Sequence, residues 1–474
     1  MLNCLYLCNV KQNVKAYFEF VRYSLDAKAE MPKGVADMNW QGLFQFAKKQ
    51  AILGVVFEGV KRMQDVGCLM SDVGCEREKE EGRSKRAEVR GLKEDVGCLM
   101  SDVGCEREEG CVRIPYRVLM EWIAVSAQIE HQNKVVNAAA AEVTRKLKDR
   151  GFDSCILKGQ GNALMYDVGG KREEGRRKTA ERGKKEDDSW KPFIRQPGDI
   201  DVWVRGDVGC LMSDVRCKRE EGRCKREDVR EKKEDGIKEV IKFVKGMYPK
   251  ARAVYHHIDA GEINGVEVEV HYRPSFMNSP IHNSRLQRWF ASHSEEQFAN
   301  VVDLPEGAGK IAVPKTDFNI VFQLSHVYNH LLHEGIGLRQ IVDYYYLLKE
   351  EGRGKKADVY DTLRYLGMEK IAGAMMWVLN EVLGLEEKYL IAPKNERMGR
   401  VLLSEIIRGG NFGHYDEEKR WLKEEGIGKM LGVQLKKNIL RLKRDMRMMR
   451  YFPSECLWEP VFRMWHFFWR LRYN

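Results

Sequence analysis

Residues 198–204 read GDIDVWV, and this stretch constrains the chain more than any other. Its apolar, β-branched run has the composition of a strand, and strand side chains alternate between two faces. Asp199 and Asp201 therefore share one face, while Ile200, Val202 and Val204 turn toward a core. Two carboxylates so close repel each other unless a cation lies between them, and Mg²⁺ is a hard cation that seeks carboxylate oxygens. Gly198, just before the pair, permits close approach of a ligand. The competing reading is a surface strand that carries two acids by chance.

Two further stretches bear on the same chemistry. GVEVEVHY (265–272) alternates strictly: Val266, Val268 and Val270 on one face, Glu267, Glu269 and His271 on the other. A third carboxylate there can complete a two-metal phosphoryl-transfer site and help deprotonate an attacking hydroxyl. Glu269 is the candidate, with Glu267 as a solvent-facing bystander; an amphipathic edge strand with a wet face is the alternative. LKGQG (157–161) reads as a strand end, a glycine turn and a helix start. Backbone N–H groups at such a turn bind phosphate, and glycines let it come close. Lys158, Gly159, Gln160 and Gly161 are the candidate phosphate contacts, with Arg195 just ahead of the acidic strand as a further cation.

Between these stretches lie tracts of another kind. DVGCLMSDVGC occurs at 65–75 and 95–105, DVGCLMSDVRC at 207–217, and a relative begins at Asp167. Each runs into a Lys/Arg/Glu/Gly mixture with few large apolar residues, unable to bury enough surface to offset ordering entropy. The tracts 65–112, 167–189 and 207–235 read as low-complexity insertions in permissive surface loops. Eight of the chain's 12 cysteines fall in them, so cysteine usage says little about redox compartment. Their C-x6-C spacing is not that of a zinc knuckle.

What remains falls into three regions. Residues 1–150 read as helical and end at Gly151. Residues 151–283 mix strands and helices, with a hairpin turn at Gly261–Gly265. Residues 284–474 are again mostly helical. At 474 residues and 43% hydrophobic, the chain is long enough for more than one core. It has no run of eighteen apolar residues, so no transmembrane segment is expected. Its first residues lack the order of a secretion signal, which makes the cytoplasm the expected location.

LKGQGNALMY, RQPGDIDVWV and VEVHYRPS, in that order, resemble the polymerase-beta-like nucleotidyltransferase superfamily. More closely they resemble a bacterial family labelled uncharacterised nucleotidyltransferase. The resemblance implies an α+β fold: a small mixed nucleotidyltransferase-type sheet with flanking helices. It implies an Mg²⁺-dependent enzyme that moves an NMP group from an NTP, ATP among them, to an unknown hydroxyl-bearing acceptor. Gly159 corresponds to the phosphate-turn glycine, Asp199 and Asp201 to the metal-binding pair, and Glu269 to the third carboxylate. Gln160 departs from the Gly or Ser usual after that glycine. Forty residues separate Gly159 from Asp199; removing 167–189 leaves seventeen, close to the superfamily gap. On this reading 167–189 emerges near the active-site rim and 207–235 lies away from it. Two alternatives stand beside the enzyme: a catalytically inactive nucleotide- or partner-binding protein of the same fold, and a nucleic-acid-binding protein.

The second alternative rests on the C-terminal tail. Residues 436–472 hold ten Lys/Arg against three Asp/Glu, most of the chain's net +10, together with Trp458, Phe462, Trp465, Phe467, Phe468 and Trp469. Such a segment binds nucleic acid, an anionic surface or a polyanionic acceptor; or it is a helix packing its aromatics on the core with charges outside. Of His256 and His257, only one is expected to face the site. His326, His330 and His333 share a helix face that either lines the cleft or binds zinc, and Arg339 and Asp343 are spaced to pair on the next helix.

Overall fold

The computed structural model describes residues 2–71, 112, 114–166, 193–206, 226–351, 356–410 and 430–474. The chain opens with helices α1 (Leu2–Leu25), α2 (Trp40–Gln50), α3 (Leu53–Ser71) and α4 (Tyr116–Lys148). Strand β1 (Phe152–Ile156), short helix α5 (Gln160–Ala163), strand β2 (Ile200–Gly206), helix α6 (Arg226–Met247) and the hairpin β3 (His257–Ile263) and β4 (Val266–His271) follow. Then come α7 (Pro280–Ser292), α8 (Glu295–Ala299), β5 (Val301–Asp303) and β6 (Lys310–Ala312). The rest is helical: α9 (Thr316–His333), α10 (Leu338–Glu351), α11 (Lys356–Tyr365), α12 (Glu369–Trp377), α13 (Glu396–Gly409), α14 (Met430–Met449) and α15 (Pro453–Tyr473).

The fold is α+β. Its four-stranded sheet runs β1-β2-β4-β3, with β1 antiparallel to β2, β2 parallel to β4, and β4 antiparallel to β3. The period-two pattern builds one sheet face: Ile200, Val202, Val204, Val266, Val268 and Val270 join a core with Ile237–Val244 of α6 and Val136–Leu147 of α4. A larger helical core takes Trp122 near the start of α4 and the buried faces of α1–α3 and α9–α13. Helix α4 thus reaches both cores, and the strands of the sheet hang from its C-terminal half.

Strand β2 is buried on both faces. Trp203, on the side of Asp201, lies against Phe298 and stacks on Phe318 at 5.6 Å. This dry wall confines Asp201 to the sheet's end. The β3–β4 turn is tighter than Gly261–Gly265: only Asn264 and Gly265 connect the strands, both with positive φ, the pairing favoured in two-residue hairpins. Gly261 instead lies within β3 at a register shift between Asp259 and Glu262. The β5–β6 hairpin was not legible in the sequence, since each strand is three residues long.

Most of the low-complexity tracts lie outside the described residues: 72–111, 167–192 and 207–225. Their edges are narrower than the composition implied. Residues 65–71 continue α3, and 226–235 form the first turns of α6. Among the described residues no helix is long and apolar enough to cross a membrane.

Candidate active site

The parallel pairing of β2 with β4 sets Asp201 directly opposite Glu269. Asp199 precedes β2 on the same side. Leu157 extends β1 by donating its N–H to the Asp201 carbonyl at 2.9 Å, which delivers Lys158 to the carboxylates. The Lys158 ammonium lies 3.0 Å from Asp201 Oδ2 and 3.7 Å from Asp199 Oδ2. His271 enters from the far side, its Nε2 2.9 Å from Asp201 Oδ1 and 3.3 Å from Glu269 Oε2. The site is thus three carboxylates interleaved with two cationic side chains.

Burial and charge act against each other here. Burial alone would lower the pKa of Lys158, but Asp201, Asp199 and Glu269 more than reverse this and hold it protonated. His271 behaves likewise: burial opposes its charge, yet the bonds to Asp201 and Glu269 raise it to about 9. Lys158 pulls Asp199 below the ordinary range. Burial raises Asp201, helped by its acidic neighbours. Burial pushes Glu269 the same way, but His271 and His257 outweigh it and hold Glu269 well below the usual range.

A cleft beside this group is lined by Lys158, Gly159, Asp199, His326 and Arg339 among others, so of the three carboxylates Asp199 is the one that faces it. Gly159 adopts φ 70° and ψ −107°, a backbone that side-chain-bearing residues avoid. The other candidates are placed differently. The Gln160 side chain is buried and donates to Asn137 and Asn133 on α4. A Cβ on Gly161 would meet Val313 at 3.1 Å, so that glycine serves close packing. Arg195 is buried with both prongs on Asp343, Nε to Oδ1 at 2.7 Å and Nη2 to Oδ2 at 2.8 Å. Arg339 turns its Nη1 toward the carbonyls of Gln196 and Pro197, 3.3 Å from each. The Asp343 carboxylate expected opposite Arg339 is thus bound by Arg195.

The histidines come closer to the site than their spacing implied. His257 Nδ1 lies 3.5 Å from Glu269 Oε2, and the His256 ring centroid is 5.5 Å from that of His271, so both flank the third carboxylate. His256, His257 and His271 together could hold a metal ion, as could Asp201, Glu269 and His271. Of the stripe on α9, His326 lines the cleft from the other side. His326 Nε2 is 3.3 Å from the Lys158 ammonium and 2.8 Å from His330 Nε2, whereas His333 bonds the Asn329 carbonyl. Burial and the Lys158 charge hold His326 neutral, suiting it to accept from the ammonium. The role of His271 was readable only as a shared strand face with Glu269; that of Asp343 carried no local signal.

Comparison with curated proteins and with solved structures gives no match. The stretch 191–384, which carries Asp199, Asp201, Glu269, His271 and the α9 histidines, matches the family model described as uncharacterised nucleotidyltransferase.

Proposed function

We propose that the protein is an Mg²⁺-dependent nucleotidyltransferase that moves an NMP group from an NTP to a hydroxyl-bearing acceptor in the cytosol. One observation carries the reading: Asp201 and Glu269 paired across parallel strands, with Asp199 beside them at the head of a cleft floored by Lys158 and Gly159. The donor set fits a hard cation. Asp201 Oδ2 is buried with the Lys158 ammonium 3.0 Å away, which supports a preference for positive charge at that point. Asp199, Asp201 and Glu269 would hold the metal, which when bound neutralises phosphate charge and eases loss of the acceptor proton.

The protein's own groups would supply the rest. Lys158 and Gly159 meet the triphosphate in the cleft, with the backbone N–H groups of Gln160 and Gly161 behind them. Arg195, Asp343 and Arg339 together carry one net positive charge beside it, so Arg195 contributes to the field while its prongs stay on Asp343. Glu269, kept ionised by His271 and His257, accepts the acceptor's proton. The freed oxygen bonds to the α-phosphorus as the bond to pyrophosphate breaks. Positioning and charge do most of the work.

One observation favours a second reading, a nucleotide-binding protein without turnover: Lys158 and His271 already place two cations among three acids. Calorimetric titration of each NTP with Mg²⁺ into the protein and into Asp199→Asn/Asp201→Asn is the first test. Metal-dependent binding of one nucleotide, lost in the variant, supports the site. Pyrophosphate release with an acceptor then separates enzyme from binder, and no binding of any NTP in either form sinks both readings.

A further inference from the structure

The C-terminal hairpin is built inside out. Helix α15 buries Glu455, Cys456 and Glu459 and packs Phe462 and His466 inward. Its outer face carries Leu457, Val461, Met464, Phe468 and Leu471, with Phe468 62% and Leu471 68% exposed. These positions follow helical spacing and form one stripe, bordered by Trp458 and Trp465 on one side and Phe467 on the other. Helix α14 continues the surface with exposed Ile439, Leu442 and Met446. A contiguous apolar face of this size marks an interaction site.

The charges around it have a single sign. The hairpin's three acids all point inward: Asp445 is buried, Glu455 holds the backbone N–H groups of Asn278 and Ser279, and Glu459 binds Arg463. Among the described residues, the exposed charges of the hairpin are Arg441, Lys443, Arg450, Arg470 and Arg472. Outward the hairpin therefore offers hydrocarbon and aromatic rings rimmed by cations only. A second copy of the chain would bring arginines against arginines with no acid to meet them, which disfavours a symmetric pair. Nucleic acid would satisfy the cations but has no use for a stripe of Leu, Val, Ile and Met. An anionic bilayer satisfies both, taking the apolar stripe below the headgroups and the arginines among the phosphates.

We propose that α14 and α15 dock the protein on an anionic lipid surface, lying in the interface without crossing it. The hairpin's inner side places the cleft close to that surface. Phe462 stacks on Phe276 at 5.1 Å, the Phe276 ring lies 4.9 Å from that of His256, and the Tyr255 N–H donates to His466 Nε2 at 3.0 Å. Docking would thus hold the acidic site beside the bilayer whatever the acceptor, and the inference stands apart from the nucleotidyl-transfer reading.

The test is flotation of the full chain with phosphatidylcholine vesicles, with and without phosphatidylglycerol. The protein is expected to float with the anionic vesicles, less so at high salt, and weakly with the neutral ones. Leu457→Gln/Met464→Gln/Phe468→Gln/Leu471→Gln, four exposed positions, is expected to weaken partitioning at least about tenfold. Quenching of the native protein's tryptophan fluorescence by brominated lipid reads insertion without any variant, should the quadruple variant fail to fold. Protein left unbound by anionic vesicles and unquenched overturns the proposal. So does partitioning unchanged in a folded quadruple variant. Without flotation, salt-sensitive binding of an RNA oligonucleotide, or a dimer dissolved by the same substitutions, overturns it too and gives the face to that partner.

Discussion

Arg195 and Asp343, 148 positions apart, form a buried two-pronged ion pair that ties the approach to the acidic strand to helix α10. Asp343 also accepts from the Tyr166 hydroxyl at 2.7 Å and from Asn162 at 3.2 Å. The carboxylate thus joins the segment after the glycine turn to the segment before Asp199. Removing one member of such a pair leaves an uncompensated buried charge. Asp343→Asn is expected to cost about 3–5 kcal/mol in urea denaturation, and Arg195→Met/Asp343→Leu to recover part of it. A loss of under about 1 kcal/mol would mean that the pair does not hold these segments together.

Lys158 stands where the site prefers a cation. Lys158→Met leaves three converging acids with His271 and His257 beside them and no ammonium, and is expected to destabilise the metal-free protein by roughly 3 kcal/mol. Mg²⁺ is then expected to raise the variant's melting temperature more than the native protein's. A variant indifferent to Mg²⁺ would count against these carboxylates as a metal site.

The backbone at Gly159 sets a different expectation. A Cβ would meet only the Asp199 carbonyl, at 3.4 Å, so space is not the obstacle; the positive φ is. Gly159→Ala is expected to lose about 1–3 kcal/mol and to displace Lys158 from the acids. Chemical denaturation with NTP titration checks both effects, and a variant with native stability and affinity refutes the strained turn.

Asp445 gives the hairpin a pH signature. Burial and the adjacent Glu459 push its carboxyl up to about 7. An acid raised on folding keeps its proton longer in the folded chain than in the unfolded one. Its contribution is therefore fully present below the ordinary aspartate value, and it is lost as pH rises through about 7. Asp445→Asn is expected to flatten this loss and to be more stable at pH 8 by about 2 kcal/mol. Equal slopes of stability against pH in the two proteins would refute it.

Much of the fold was legible because its signals are local. Alternation in GDIDVWV and GVEVEVHY fixes which residues share a face, a property of one strand and its own pleat. That was enough to put Asp199 with Asp201 and to put Glu269 and His271 opposite the valines, while the α+β class came as what the resemblance implied. Composition likewise separated the repetitive tracts, although their edges extend α3 and α6: the apolar Val66, Leu69 and Met70 continue α3, and the charged run 226–235 prolongs a helix as strong helix formers can.

Tertiary structure decided which of these faces meet. The parallel register of β2 and β4 put Asp201 opposite Glu269, and no spacing in the sequence encodes that pairing. The same assembly gave Asp343 to Arg195, turned Gln160 inward to Asn137, and brought His256 and His257 together beside Glu269. It also divided the C-terminal aromatics, with Phe462 and Trp469 facing inward and Trp458, Trp465 and Phe468 left at the surface. Periodicity tells a helix that it has two faces. Only the surface it packs against determines which one is buried.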